Sequence, residues 1–152
     1  MKRSAAAAGA LAAMMATTPS LADDAPGLAF RGTATAPGSD RIIYHEFHEV
    51  SGACTNGWWQ PDEQQVRYVR PNNDKAFATK ALTYPNSPQT PDVDFRQPSF
   101  GERLVISRKG DTVAIDWSIE GEEGGTWTLS PDPDLVVDAG FDHFIRDHWG
   151  PL

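Results

Sequence analysis

Residues 44–49 of this chain read Tyr44-His45-Glu46-Phe47-His48-Glu49. If this stretch is a β-strand, alternate side chains point to opposite faces of the sheet, so Tyr44, Glu46 and His48 share one face. The other face then carries Ile43, His45, Phe47 and Glu49. Each face combines ionisable groups with an aromatic ring. This pattern is typical either of a polar site inside a curved sheet or of an exposed strand with incidental charges, and both interpretations stay open.

The segments that follow predict a β-hairpin. Residues 65–70 and 76–84 both alternate in polarity, and residues 71–74 between them begin with proline and continue with turn-forming residues. On the second strand Ala78, Lys80, Leu82 and Tyr84 share a face, opposite the face of Phe77 and Thr79. A lysine buried on such a face needs a carboxylate partner, and we predict Glu46 in that role. Alternatively, Lys80 reaches solvent from an edge of the sheet.

The remaining strands are predicted at residues 28–35, 41–50, 104–107, 112–119 and 126–129. Residues 51–60 are expected to form a loop around Asn56-Gly57, and residues 93–100 to be extended but irregular. Near the C-terminus, a short helix is predicted that Asp138 caps, that Gly150-Pro151 ends, and whose apolar face consists of Phe141, Phe144, Ile145 and Trp149. The sequence therefore predicts a mostly-β domain, an antiparallel curved sheet or open barrel of about seven strands with one short C-terminal helix.

The N-terminus has the features of an export signal. Lys2 and Arg3 precede an apolar run over residues 5–16, and Ser20-Leu21-Ala22 offers small residues for cleavage after Ala22. We therefore predict a signal peptide over residues 1–22, a single β-rich domain over residues 23–152, and a periplasmic or secreted location. The apolar run is shorter than the roughly 20 residues that a membrane-spanning helix needs, so we expect no stable membrane insertion.

Charge and cysteine content narrow the range of partners. The chain has 13 basic and 21 acidic residues and a formal net charge of −8, and cleavage removes two more positive charges. Such a balance disfavours nucleic acid, because phosphate binding needs clustered Lys and Arg. Cys54 is alone, so it is either buried or available for pairing between chains, and partial burial is the favoured interpretation. The sequence does not predict an oligomeric state.

No established catalytic or metal-binding signature occurs in the sequence. Glu46 and His48 have a spacing that suits one metal ion, but no third ligand is marked by a motif, and no H-E-x-x-H is present. A hydrogen-bonded ladder of Tyr44, Glu46 and His48 explains the same residues without metal. Nucleophile elbows and phosphate loops are also lacking. We therefore predict no cofactor, no metal and no assigned catalytic residue.

Two other groups of residues are candidates for function. Trp58-Trp59 beside Asn56-Gly57 could form a platform for a sugar ring, although tryptophans of small β domains are more often part of the core. The second group lies in the C-terminal helix region and consists of Asp138, Gly140, Phe141, Asp142, Arg146 and Trp149. A helix cap, a closely packed glycine and an ion pair of Asp142 with Arg146 explain this group structurally.

Five patterns along the chain resemble those of a group of uncharacterised exported bacterial proteins. They are Tyr44-x-Glu46-x-His48, Val66-x-Tyr68, Ala78-x-Lys80 with Tyr84, Pro91-Asp92 with Phe95, and Asp138-Ala139-Gly140-Phe141-Asp142-x-Phe144-x-Arg146-x-x-Trp149. That group has no established activity, so the resemblance implies no catalytic role. Its members continue past the helix with further strands, which implies that a chain ending at Leu152 is truncated. The arrangement is also similar, at the level of fold, to periplasmic lipoprotein carriers of the half-barrel type.

Three functional hypotheses follow. The first is a non-catalytic exported protein that binds a lipid or another apolar or amphipathic ligand in the cavity of a curved sheet, with Tyr44, Glu46, His48, Lys80, Trp58 and Trp59 as ligand-binding residues. The second is a cell-envelope hydrolase that uses Glu46, His48 and Lys80. The third is a structural or interaction protein that contacts its partner through Trp58-Trp59.

Overall fold

The structure is a computed structural model that describes residues 27–149. Within that range the chain forms one antiparallel sheet in which each strand pairs with the next along the sequence. The strands are β1 (Gly27–Thr35), β2 (Ile42–Thr55), β3 (Trp58–Val69), β4 (Ala76–Thr83), β5 (Asp92–Gln97), β6 (Glu102–Lys109), β7 (Thr112–Ser118) and β8 (Gly125–Leu129). The sheet is curved and unclosed, and one helix, α1 (Gly140–His148), follows it. The predicted fold class is confirmed. The predicted signal peptide and the last three residues lie outside the described range.

Three predictions about residues 51–100 are wrong. Residues 51–60 are not a loop, because β2 and β3 continue to a tight turn at Asn56 and Gly57, whose φ angles are 54° and 81°. Asn-Gly is the sequence that such two-residue hairpin turns favour, since both positions need positive φ. The segment expected to be irregular contains β5, which gives eight strands in the described range rather than seven. Cys54 lies near the end of β2 and is exposed, not partly buried.

The hairpin of β3 and β4 has the predicted pairing, with one change at its end. Tyr68 pairs with Ala78, and Val69 pairs with Ala76, so Phe77 is an extra residue in β4. Such a β-bulge redirects a side chain that simple alternation assigns to the opposite face. Simple alternation along β4 would place Phe77 on the face opposite to Tyr68. Because of the bulge, the Phe77 ring contacts the Tyr68 ring instead.

One face of the sheet is covered in its middle by residues 135–139, which we call the strap. The fully or nearly buried core consists of Val66, Leu82 and Val93 from neighbouring strands and Val137 from the strap. Leu135 and Ala139 pack against the same cluster. We call this side of the sheet the strap face. The strap face also carries Glu46, His48 and Lys80. His48 and Lys80 both pair with Val66 in the sheet, and Glu46 lies two residues before His48 on β2.

Helix α1 is anchored mainly to the β4–β5 connection. Gly140 begins the helix so close to Gln89 that a Cβ atom at this position would lie 2.0 Å from the Gln89 carbonyl oxygen. Asp138 does not cap the helix, since Ala139 occupies the N-cap position without a side-chain hydrogen bond. Phe141 and Trp149, which the sequence assigned to the apolar helix face, are exposed. Within residues 27–149 no helix combines the length and the apolar character needed to cross a membrane.

Candidate functional site

A hydrogen-bonded chain of four polar side chains runs across the strap face from β2 through β3 to Tyr84, the residue that follows β4. Glu46 Oε2 lies 3.1 Å from His48 Nε2, and His48 Nδ1 lies 2.8 Å from Gln64 Nε2. The Tyr84 hydroxyl donates to Gln64 Oε1 over 2.7 Å. These contacts assign the histidine tautomer, because Nδ1 accepts from the amide nitrogen and Nε2–H then donates to the carboxylate. The Phe30 ring of β1 stacks on the His48 ring, with the ring centres 4.3 Å apart.

The members of this chain are shielded from water to different degrees. Gln64 is buried, and the side chain of His48 is 14% exposed. Burial, with additional repulsion from Asp138 and Asp142, raises the pKa of Tyr84 to about 12, so its hydroxyl remains a hydrogen-bond donor at neutral pH. Both ring nitrogens of His48 and both polar atoms of the Gln64 side chain have a hydrogen-bond partner, as buried polar groups require.

The second polar cluster centres on Lys80. Its ammonium nitrogen lies 2.6 Å from Asp138 Oδ2 in the strap, and the two side chains are 16% and 35% exposed. Burial alone would lower the pKa of Lys80, but the hydrogen bond and negative charge of Asp138 outweigh it and raise this pKa. Burial raises the pKa of Tyr68, because the charged form of tyrosine is the deprotonated one, and the adjacent Lys80 ammonium opposes part of this rise. The predicted partner of Lys80 was Glu46, and that prediction is wrong, because the strap supplies the carboxylate.

Aromatic rings border both polar clusters. The Tyr44 ring contacts the rings of Tyr68 and Phe77 edge-on, with both centre-to-centre distances at 5.9 Å. Tyr68 in turn contacts Phe95 of β5 at 6.1 Å. The ammonium of Lys80 lies 5.9 Å from the centre of the Tyr68 ring. The strap face thus combines a row of half-buried rings with one cation and two carboxylates.

The structure brings together four of the six predicted ligand-binding residues. Tyr44, Glu46, His48 and Lys80 share the strap face, although Glu46 and His48 belong to one cluster and Lys80 to the other. His48 and Lys80 are two strands apart, about 10 Å across the sheet. Trp58 and Trp59 lie at the far end of β3, on the order of 30 Å along the strand direction from Glu46. Trp58 is 60% exposed there.

The C-terminal group contributes one residue to the candidate site, namely Asp138. Arg146 does not form the predicted pair with Asp142. Its guanidinium instead contacts Asp147 at 3.5 Å and the Trp59 carbonyl at 3.4 Å. His143 packs edge-on against Tyr84, and burial followed by the charge of Arg146 lowers its pKa. Among the residues that the structure describes, no group of three His, Cys, Asp or Glu side chains could hold a metal ion.

Two residues of the site were missed in the sequence, and one was misassigned. Gln64 lies on the buried face of β3, in register with Val50 and Leu82. It was missed because the predicted strand began at residue 65, one position after it. Tyr84 was assigned to the face of Lys80 but not to any polar contact. Asp138 was taken for a helix cap, and its positive φ of 44° is invisible in the sequence.

Both polar clusters are paired internally. Lys80 forms an ion pair with Asp138, and the two ring nitrogens of His48 have hydrogen-bond partners in Glu46 and Gln64. Comparisons of the chain with protein-family models, with curated proteins and with solved structures found no match.

Proposed function

We propose that this protein binds an apolar or amphipathic ligand on the strap face of its curved sheet. The observation that carries the proposal is the apolar surface left open on that face beyond the strap. Its most exposed members are Phe30 at 47%, Leu28 at 51%, Trp127 at 56% and Leu129 at 38%. Large exposed apolar residues that share one face of a sheet are typical of a binding surface, because water contact with them is unfavourable.

The polar clusters suit a ligand with both an apolar and a polar part. They lie in the middle of the face, between the open apolar residues of β1 and those of β8. A ligand that covers apolar surface and places its polar group near Glu46, His48 or Lys80 satisfies both kinds of surface. Tyr44 and Tyr68 present rings with polar tips at this boundary, which suits an amphipathic molecule.

The proposal includes export to the periplasm or the medium, which rests on the sequence of residues 1–22. The resemblance to exported bacterial proteins supports the same proposal. Native mass spectrometry of the secreted protein tests both parts, because it reports the cleavage position and any bound ligand together.

A titration with N-phenyl-1-naphthylamine, a neutral apolar dye that fluoresces in apolar surroundings, tests the binding surface. We expect Phe30→Ala to weaken dye binding several-fold. Phe47→Ala is the matched control, because Phe47 lies on the adjacent strand but on the opposite face. Equal loss in both variants, or no binding by the wild-type protein, would contradict the proposal.

The second candidate function is hydrolysis of a cell-envelope glycan or ester by Glu46, His48 and Lys80. The observation in its favour is the 3.1 Å contact between Glu46 and His48, since a carboxylate that orients an imidazole is a common catalytic pairing. Assay of the protein with chromogenic esters and peptidoglycan tests this candidate. Hydrolysis that persists undiminished in His48→Gln would exclude it.

The third candidate is an interaction protein that uses the β2–β3 hairpin. Trp58 at its tip is 60% exposed, and exposed tryptophans are frequent anchors of protein interfaces. Replacing Trp58 and Trp59 by alanine should abolish partner capture while leaving the unfolding midpoint unchanged. Lost stability with unchanged capture would exclude this role.

A further inference from the structure

The strap presents to the sheet the two chemical elements of an amphiphile. Leu135, Val137 and Ala139 supply an aliphatic surface that packs on Val66, Leu82 and Val93. One residue before Ala139, the Asp138 carboxylate meets the ammonium of Lys80 at 2.6 Å. An aliphatic segment that ends in a carboxylate therefore occupies the centre of the proposed binding face.

Few interactions hold the strap in place. Among the described residues, its other backbone hydrogen bonds are local, to Asp132, Gly140 and Phe141, and one bond reaches a distant segment, which Val137 N–H donates to the Gln89 carbonyl over 2.9 Å. Asp138 has a φ of 44°, in the left-handed region that aspartate enters more readily than most residues with a Cβ atom. The helix that follows adds two long contacts of 3.4 Å, one to Trp59 and one to Gln89. The strap is thus a segment whose attachment depends on its apolar side chains and one ion pair.

Lys80 determines what can replace the strap. With its side chain 16% exposed, its charge needs an anionic partner, because a mostly buried ammonium without one is costly. The neighbouring surface is aliphatic, made by Val66, Leu82, Val93 and Ile106, and fits a flexible hydrocarbon chain. A molecule that displaces the strap must therefore supply a negative charge to Lys80 and a hydrocarbon chain to the core residues.

We propose that residues 135–139 occupy an internal binding site for a single-chain anionic amphiphile, which competes with the strap for Lys80 and for the surface of Val66, Leu82 and Val93. This inference rests on the proposed ligand-binding function and identifies its ligand class. The ligand's anionic group takes the place of the Asp138 carboxylate. Its hydrocarbon chain takes the place of the Leu135, Val137 and Ala139 side chains.

The proposal predicts opposite effects for two substitutions that break the same ion pair. Asp138→Asn removes the competing charge and leaves Lys80 available, and asparagine tolerates the positive φ of this position. Because the observed dissociation constant falls as the binding-competent fraction rises, Asp138→Asn should bind laurate about tenfold more tightly than the wild-type protein does. Lys80→Met keeps an apolar stem but loses the cation, and it should bind laurate about tenfold more weakly.

The experiment measures the binding of four compounds with equal chain lengths directly, by isothermal titration calorimetry. Laurate and dodecyl phosphate are anionic, dodecylamine is cationic and dodecyl maltoside is neutral. We expect both anions to bind the wild-type protein more tightly than the other two, and Lys80→Met to lose this preference while retaining the maltoside. Lys80→Arg should preserve the preference. Asp142→Asn, which removes a carboxylate next to the strap that does not pair with Lys80, is the matched charge control.

Hydrogen exchange at the Val137 amide and near-ultraviolet circular dichroism report strap opening and folding in each variant. The inference is overturned if Asp138→Asn binds laurate no more tightly than the wild-type protein, or if Lys80→Met weakens laurate and maltoside equally. If the wild-type protein binds the dye in those cases, the inference fails and the proposed function stands. If neither the wild-type protein nor any variant binds the dye or the amphiphiles, the proposed function fails together with the inference.

Discussion

Gly140→Ala provides a sharp test of how the strap and α1 are attached to the sheet. A Cβ atom at this position would lie 2.0 Å from the carbonyl oxygen of Gln89, 2.5 Å from its carbonyl carbon and 2.9 Å from its Cα. All three are backbone atoms, so no side-chain rotation can relieve the contact. The Gln89 carbonyl also accepts the hydrogen bond of Val137, which is the backbone link between the strap and the β4–β5 connection.

The expected destabilisation follows from three effects. Carbon and carbonyl oxygen atoms ordinarily approach to about 3.3 Å, so the two segments must separate by roughly 1.3 Å. Overpacking of this kind costs about 1–3 kcal/mol, and weakening the Val137 hydrogen bond adds about 1 kcal/mol. Alanine favours a helix over glycine by at most about 1 kcal/mol, which offsets part of the cost. We therefore expect the free energy of unfolding to fall by about 2 kcal/mol.

Urea denaturation and hydrogen exchange of the Val137 amide measure this effect. Gly32→Ala is the matched control, because a Cβ atom there would have its nearest neighbours in Glu46 at 3.5 Å, an ordinary van der Waals distance. We expect the control to be as stable as the wild-type protein. The reasoning is refuted if Gly140→Ala changes the unfolding free energy by less than about 0.5 kcal/mol and leaves the Val137 amide equally protected.

Three further predictions concern the polar groups. The pKa of Lys80 is raised above its ordinary 10.5. Its contribution to stability is therefore present below pH 10.5 and is lost as the pH rises through the folded-state pKa. In urea denaturation, Lys80→Met should flatten this alkaline decline of the unfolding midpoint. The guanidinium groups of Arg96 and Arg103 lower the pKa of Asp94 from 3.8 to about 2. The contribution of Asp94 to stability is therefore present above pH 3.8 and is lost as the pH falls toward 2. Asp94→Asn should remove this acid-induced loss of stability in the same assay. Tyr84→Phe leaves the buried Gln64 Oε1 without its 2.7 Å donor and should cost about 1 kcal/mol in thermal unfolding, whereas an unchanged midpoint would show that the hydrogen bond contributes nothing.

The sequence predicted those parts of the fold that depend on local alternation. The shared face of Glu46 and His48 follows from the two-residue period of strands, and the hairpin of β3 and β4 was predicted from two such periods around a turn; the structure has both. That Lys80 shares the face of Glu46 depends on the strand register. The Asn56-Gly57 turn was also predictable, because this dipeptide is a strong hairpin signal. The loop predicted around it over residues 51–60 was wrong, because β2 and β3 extend as far as the turn.

Other parts of the site depend on tertiary structure and could not be predicted. The orientation of Phe77 depends on a bulge that only the pairing of two strands reveals. The partner of Lys80 lies 58 positions further along the chain, in a segment without regular secondary structure, and nothing local to Asp138 indicates a positive φ. The sequence pattern around Asp138 equally suits a helix cap, and only the tertiary structure, in which residues 135–139 pack on the sheet beside Lys80, distinguishes the two roles.

The strand order of the sheet has a consequence for the time course of folding. Because every strand pairs with its neighbour in sequence, each pairing requires closure of a short loop only, and such topologies fold fast for β proteins. Residues 135–139 are the exception, since they must reach back to β3, β4 and β5. A chain that emerges N-terminus first therefore completes these strands while Val66, Leu82 and Val93 are still uncovered. A hydrocarbon chain present at that moment meets the aliphatic surface before the protein's own residues arrive.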